Sequence, residues 1–351
     1  MRRDICEPYN HPALNAILAL LLVLPFLFII YLANLGECSR NARLLVYLGL
    51  VLTNSFILVE ALVITTMAAL PTGEGIGSLF GAQPATQAWR AARLELAGPV
   101  LMVSGLLALG ALLPPVRRLA ARVLPIQPDS LVHITALSLT ATAIGLNLFQ
   151  MLALTPALFA LIEDPQRQQL VSPSYLDVLA FPLLTFTMAA LLGVGLGVRR
   201  SQRETLERLG MRPLTLPHLG LALVATGVLV GLAVLTEELW RVIDPQGLER
   251  VGSLSKALLG NFSGLSGALA IGVAAAIGEE SFFRGAYQPR MGIPLTSLLF
   301  ASFHVQYGIT PAALLVLVMG VILGALRART SLTVCILVHF LYNFTTVLVA
   351  S

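Results

Sequence analysis

Charge is scarce in this chain. Asp, Glu, Lys and Arg make up 11% of its 351 residues, against about 25% in a soluble globular protein, which excludes an ordinary water-soluble domain. Cysteine is almost absent. Cys6, Cys38 and Cys335 lie far apart and form no C-x-x-C pair, so neither a disulfide framework nor a thiolate metal site is expected. No basic cluster with interleaved aromatics occurs and the net charge is only +4, which argues against nucleic acid as a partner. The apolar stretches lack the alternation that a barrel strand needs. No A-x-A site follows the first apolar run, Pro12 to Asn34, so it reads as a retained span and not as a signal peptide.

Apolar length is abundant. Hydrophobic residues make up 57% of the chain and the mean hydropathy is +0.85. About ten apolar segments stand out, near 12–34, 44–70, 95–116, 130–162, 175–198, 217–237, 264–283, 293–307, 311–326 and 331–350. At 1.5 Å per residue, about 20 residues cross the hydrocarbon core. The expected fold is an all-α polytopic transmembrane helical bundle of about 8–10 membrane segments, in contact with membrane lipids. Segments 293–307 and 311–326 are short, and read as one broken hairpin turning at Gly308-Ile309-Thr310-Pro311. Pro71 to Gly75 and Pro114-Pro115 end spans, and Pro25, Pro156 and Pro182 predict kinks.

The loop from Arg199 to Arg212 carries five arginines and has helical periodicity from Arg200 to Leu209. A short amphipathic helix on the cytoplasmic surface is predicted there. Alternation then places 35–43, 114–129, 284–292 and 327–330 on the same side. The chain divides into N-terminal membrane helices with no recognised motif (1–198), an amphipathic linker (199–216) and a C-terminal part (217–351) that collects the polar candidates.

Ionisable residues at membrane depth are costly and mark functional sites. Glu279 and Glu280 end an apolar run, and Arg284 stands four residues after Glu280, on its face. Glu279 is turned about 100° away, free to do chemistry. His304 stands four residues after Phe300, and Asn343 four after His339. A lone membrane histidine is as often a hydrogen-bonded structural group, and a His–Asn pair is often packing glue. Four such groups on three neighbouring apolar segments fit glue less well.

The trio Glu279-Glu280-x-x-x-Arg284, Phe300-x-x-x-His304 and His339-x-x-x-Asn343 resembles the motifs of the CAAX-processing and bacteriocin-processing (CPBP) protease family. That family includes type II CAAX prenyl endopeptidases and abortive-infection-type intramembrane proteases. The resemblance covers roughly 217–350, and Arg208-Leu209-Gly210-Met211 is similar to a further segment of these proteins. It implies a multi-pass peptidase of a bacterial cell membrane, acting near the cytoplasmic face on hydrophobic peptides or lipid-anchored proteins. Glu279 would activate water, His304 would assist, and His339 with Asn343 would stabilise the oxyanion. Glu280, Arg284 and Phe300 would be structural support. The family often carries a metalloprotease label, and Glu279, His304 and His339 would be the zinc set. The histidines lie on different segments with no H-E-x-x-H, so a metal-free glutamate mechanism is the preferred expectation.

Two other functions fit some of these features. One is a non-catalytic scaffold or immunity protein of the same family. The other is a proton-coupled transporter, which the lack of an internal repeat disfavours. Thr236-Glu237-Glu238-Leu239-Trp240-Arg241 looks similar to the first motif, but reads as an interfacial helix end with Trp240 at headgroup level. His11, His133, His218 and Glu60 are weaker candidates.

Overall fold

The computed structural model describes residues 12–69, 93–162 and 175–350. Cys6, His11 and the expected break at Pro71 to Gly75 lie outside them. Among the described residues the structure is helical, with one isolated β-bridge between Leu196 and Arg200. The helices are α1 (Pro12–Leu35), α2 (Arg40–Ala68), α3 (Leu94–Gly110), α4 (Pro114–Ala120), α5 (Leu131–Phe149), α6 (Thr155–Ile162) and α7 (Tyr175–Val194). They continue with α8 (Gln202–Leu209), α9 (Leu216–Ile243), α10 (Pro245–Leu259), α11 (Gly264–Glu280), α12 (Gln288–Ser302), α13 (Pro311–Arg329) and α14 (Leu332–Ala350). A π-helical turn, Gln150–Leu154, joins α5 to α6, and a second, Ser281–Tyr287, joins α11 to α12.

Six helical stretches of the described residues are long and apolar enough to cross a membrane, two of them (Leu131–Ala160 and Gly264–Ser302) counted across a π-turn, or seven if the pair α3–α4, bent by 97°, is one span. Two shorter apolar stretches, Val23–Leu35 and Leu179–Val194, add to these. This is a multi-pass helical bundle, as the composition requires. The hairpin expected from two short segments is only partly right. α13 runs on through Leu326 and Arg327 to Arg329 and is long enough to span, while α12 ends at Ser302.

Small residues set the spacing around the future site. α11 lies against α7 and α14. A Cβ on Gly278 would come within 2.5 Å of the Pro182 carbonyl oxygen, and one on Gly272 within 3.0 Å of the Phe340 ring. Backbones approach this closely only where side chains are missing, the usual device of membrane helix pairs. Elsewhere α12 packs on α13, α9 on α14, α1 on α7, and α5 on α12.

The connections expected on one side do meet at one end of the bundle. α8 begins with a capping box, in which the Ser201 hydroxyl accepts from the Glu204 N–H and the Glu204 carboxylate accepts from the Ser201 N–H. It ends at Gly210 with φ +83°, a left-handed conformation that favours glycine. Leu332 N–H donates to Gly210 O at 3.0 Å, Arg327 donates to Leu209 O at 3.1 Å, and Glu37 accepts from Ser130 at 2.6 Å. Hence the segments after α1, α4, α7, the second π-turn and α13 share one arginine-rich end.

Candidate active site

α11 and α14 carry the central pair. Glu280 closes α11 immediately before the π-turn at the arginine-rich end, and His339 lies seven residues into α14 from Leu332, roughly 10 Å at 1.5 Å per residue. The two helices pack side by side. The His339 Nδ1 lies 2.9 Å from Glu280 Oε1, with both side chains buried. The Arg284 Nε lies 3.5 Å from Glu280 Oε2, and both side chains are fully buried. A carboxylate oxygen accepts, so His339 donates to Glu280 through Nδ1–H, which leaves His339 Nε2 for other work.

Arg284 stands on Phe300, its guanidinium carbon 4.7 Å from the ring centroid. That is cation–π distance. Its three guanidinium nitrogens form no hydrogen bond among the described residues, so Glu280 and the Phe300 ring provide its compensation. Phe300 also lies between the two histidines, 5.0 Å from the His304 ring and 6.1 Å from the His339 ring. It is fully buried and forms the floor of the arrangement.

His304 follows α12 in a short turn. Its Nδ1 lies 3.1 Å from the Phe300 carbonyl. A carbonyl only accepts, so Nδ1 carries the proton and Nε2 is the free base. Tyr307 stacks on His304, with centroids 6.0 Å apart and planes 13° apart. Glu279 is half-buried, and its Oε2 is buried without a hydrogen-bond partner. Its charge reaches His304, Tyr307 and His339. Asn343 is half-buried one turn along from His339, its side chain free of hydrogen bonds among the described residues.

Glu280, Arg284, Phe300 and His339 therefore form a buried foundation. Glu279, His304 and Asn343 are the more accessible groups above it. Glu280 does more than pair with Arg284, because it also holds His339 across 59 positions of sequence. Tyr307 was not singled out from the sequence; an aromatic three residues beyond His304, before Gly308, was the only signal. Among the described residues no three His, Cys, Asp or Glu side chains are placed to hold a metal ion.

The second acid-acid-arginine stretch is different. Arg241 pairs with Glu237 at 2.6 Å and Glu238 at 2.7 Å, all three exposed. Trp240 is 4% exposed, packed against the protein. It lies about 100° around the helix from Arg241 and faces inward. Glu60 is exposed, and His133 is buried with its Nδ1 accepting from Gln127 N–H at 2.9 Å. The His218 Nδ1 is buried without a partner, remote in sequence from all three motifs.

Residues 261–345 match the family model described as Type II CAAX prenyl endopeptidase Rce1-like. The matched segment contains Glu279, Glu280, Arg284, Phe300, His304, His339 and Asn343. The likeness to CAAX-processing proteases therefore holds over the part of the chain that builds this site. No curated protein and no solved structure gives a match to the chain.

Proposed function

We propose that the protein is an intramembrane endopeptidase that uses a glutamate-activated water to cut peptide bonds in hydrophobic or membrane-associated substrates. The observation that carries this reading is the division of labour between the adjacent glutamates. Glu280 is taken up by His339 and Arg284, while Glu279 keeps a carboxylate oxygen without a partner, within electrostatic reach of His304. Hydrolysis needs a base, a proton carrier and donors aimed at the developing oxyanion. Glu279 takes a proton from water as the oxygen attacks the carbonyl carbon. His339 Nε2 and the Asn343 amide donate to the tetrahedral oxyanion, the Glu280 carboxylate balancing charge on His339. The C–N bond breaks as the proton held by Glu279, relayed by His304, passes to the departing amine.

The depth of the site favours access from the arginine-rich end, which the charge bias assigns to the cytoplasm. Prenylated tails, other lipid-anchored peptides and membrane-protein segments all fit this chemistry. The test is hydrolysis of a hydrophobic peptide library by purified protein, with Glu279→Gln and His304→Ala compared against Glu60→Gln. Each of the first two should lose at least about 10²-fold in rate, and the last should match the wild type. Full activity in either site variant would remove the mechanism.

A further inference from the structure

A cavity of about 640 Å³ lies between α1, α5, α7, the second π-turn and α12, within the size range of small-molecule sites. It is separate from the candidate active site. Phe186, Phe282 and Phe303 line it, and buried Phe283 and Phe300 stand behind them, before His304 and His339. Glu279, His304, His339 and Asn343 do not line it.

Its two ends differ in chemistry. At the arginine-rich end its wall includes Arg199, Arg200, Arg208 and Arg290, drawn from the segment after α7, from α8 and from α12. Farther in, Phe26, Leu27, Leu139, Ala143 and Leu146 make it predominantly apolar, with Thr140, Thr142, Asn147 and Gln150 interspersed. Lining residues run from Ser130 to Gln150 on the α5 side, roughly 30 Å at helical rise and so about the thickness of the hydrocarbon core.

Among the described residues the four cations are poorly balanced. Glu37 is 4.0 Å from Arg199, but the same oxygen already accepts from the Ser130 hydroxyl and Val132 N–H. Glu204 is near Arg200 but is engaged by Ser201. Arg200 donates to the Val194 carbonyl, and Arg208 to the Gly285 carbonyl at 3.5 Å. Arg290 has no hydrogen bond or ion pair among the described residues and is half-buried. Burial first, then Arg290 and Arg200, hold Arg208 down at about 10.

We infer that this cavity binds one anionic lipid, its headgroup at Arg199, Arg200, Arg208 and Arg290 and its hydrocarbon along α5. An anion at the arginines relieves their mutual repulsion, and only an amphiphile also fills the apolar length. The inference does not depend on peptidase activity, since none of these residues belongs to the proposed catalytic groups.

The experiment uses delipidated full-length protein in neutral detergent. Native mass spectrometry and thermal unfolding are followed on adding phosphatidylglycerol, phosphatidylcholine of the same chains, or inorganic phosphate. Phosphatidylglycerol should bind one per chain and raise the unfolding midpoint; the other two should not. Arg290→Gln and Arg208→Gln should each weaken binding about fivefold, and Ala143→Phe should weaken it by filling the apolar part. Arg203→Gln, on the exposed face of α8, should leave it unchanged. Equal binding of phosphatidylcholine would overturn the proposal, as would equal stabilisation by phosphate, which would mark a free-anion site. Unaltered binding in Arg290→Gln and Ala143→Phe would also overturn it. If an arginine variant fails to fold, Ala143→Phe decides alone.

Discussion

The Glu280–Arg284–His339 cluster can be taken apart by substitution. Glu280→Gln keeps size and one acceptor but removes the negative charge, leaving Arg284 buried beside Phe300 with no counter-ion. At the observed 3.5 Å, two unit charges attract by about 5 kcal/mol at an effective dielectric constant near 20. Breaking a buried pair by removing one partner costs about 3–5 kcal/mol, so Glu280→Gln should destabilise by that amount. Adding Arg284→Met removes the stranded cation and leaves an apolar chain on the Phe300 ring. Such replacements are often neutral, so the double variant should return to within about 1–2 kcal/mol of wild type. Hydrolysis should not return with it, because His339 still lacks its carboxylate. A loss of about 10²-fold is expected, the scale of one oxyanion donor. The measurements are chemical unfolding in mixed micelles and kcat for a hydrophobic peptide, on both singles and the double. If the two destabilisations simply add, the ion pair is not coupled. If the double variant hydrolyses at full rate, Glu280 does not position His339.

Other outcomes follow from single features. Gly278→Ala would drive a methyl group against the Pro182 carbonyl. It should cost about 1–3 kcal/mol by overpacking and lower the rate by shifting Glu279, whereas Gly227→Ala, with open space around it, should do neither. The Ser201 N–H, then its hydroxyl, hold the Glu204 carboxyl below its ordinary value of 4.5. A depressed acid stabilises above its unfolded pKa and loses that contribution as pH falls through its folded value. Relative to the intrinsic exchange rate, protection of the first-turn amides of α8 should therefore fall as pH drops below 4.5, and Glu204→Gln should show low protection already at neutral pH. Tyr307→Phe keeps the stack on His304 and should leave stability unchanged. Tyr307→Ala should lower kcat by freeing the imidazole, and equal rates for the two would dismiss the ring as a positioning group.

The helical bundle was legible because apolar runs of membrane length permit little else. Glu279, Glu280, His304 and His339 were legible because charge and imidazole stand out against such runs. Spacing showed that Arg284 shares a face with Glu280. It could not show His339 as the second partner of Glu280, since contacts between α11 and α14 follow no local period. The inward packing of Trp240 was not legible, because only the neighbouring helices decide which way a side chain near a helix end faces. The arginines of the 199–212 loop suggested a surface helix. Their convergence with Arg290 over a cavity depends on how α1, α5 and α7 pack, and no single segment records that.

The passage from α11 to α12 is made of helix, broken at Gly292. Gly264 to Ser302 is 39 residues of mostly apolar chain with no polar loop. It reverses by way of the π-turn and Gly292, whose φ is +73°. A corner made of bent helix has no slack, so a movement of Glu280 is passed to His304 through covalent backbone. A cleavable linker spliced at 286–292 should thus uncouple the two motifs, while the same linker in the short turn between α13 and α14 should spare them.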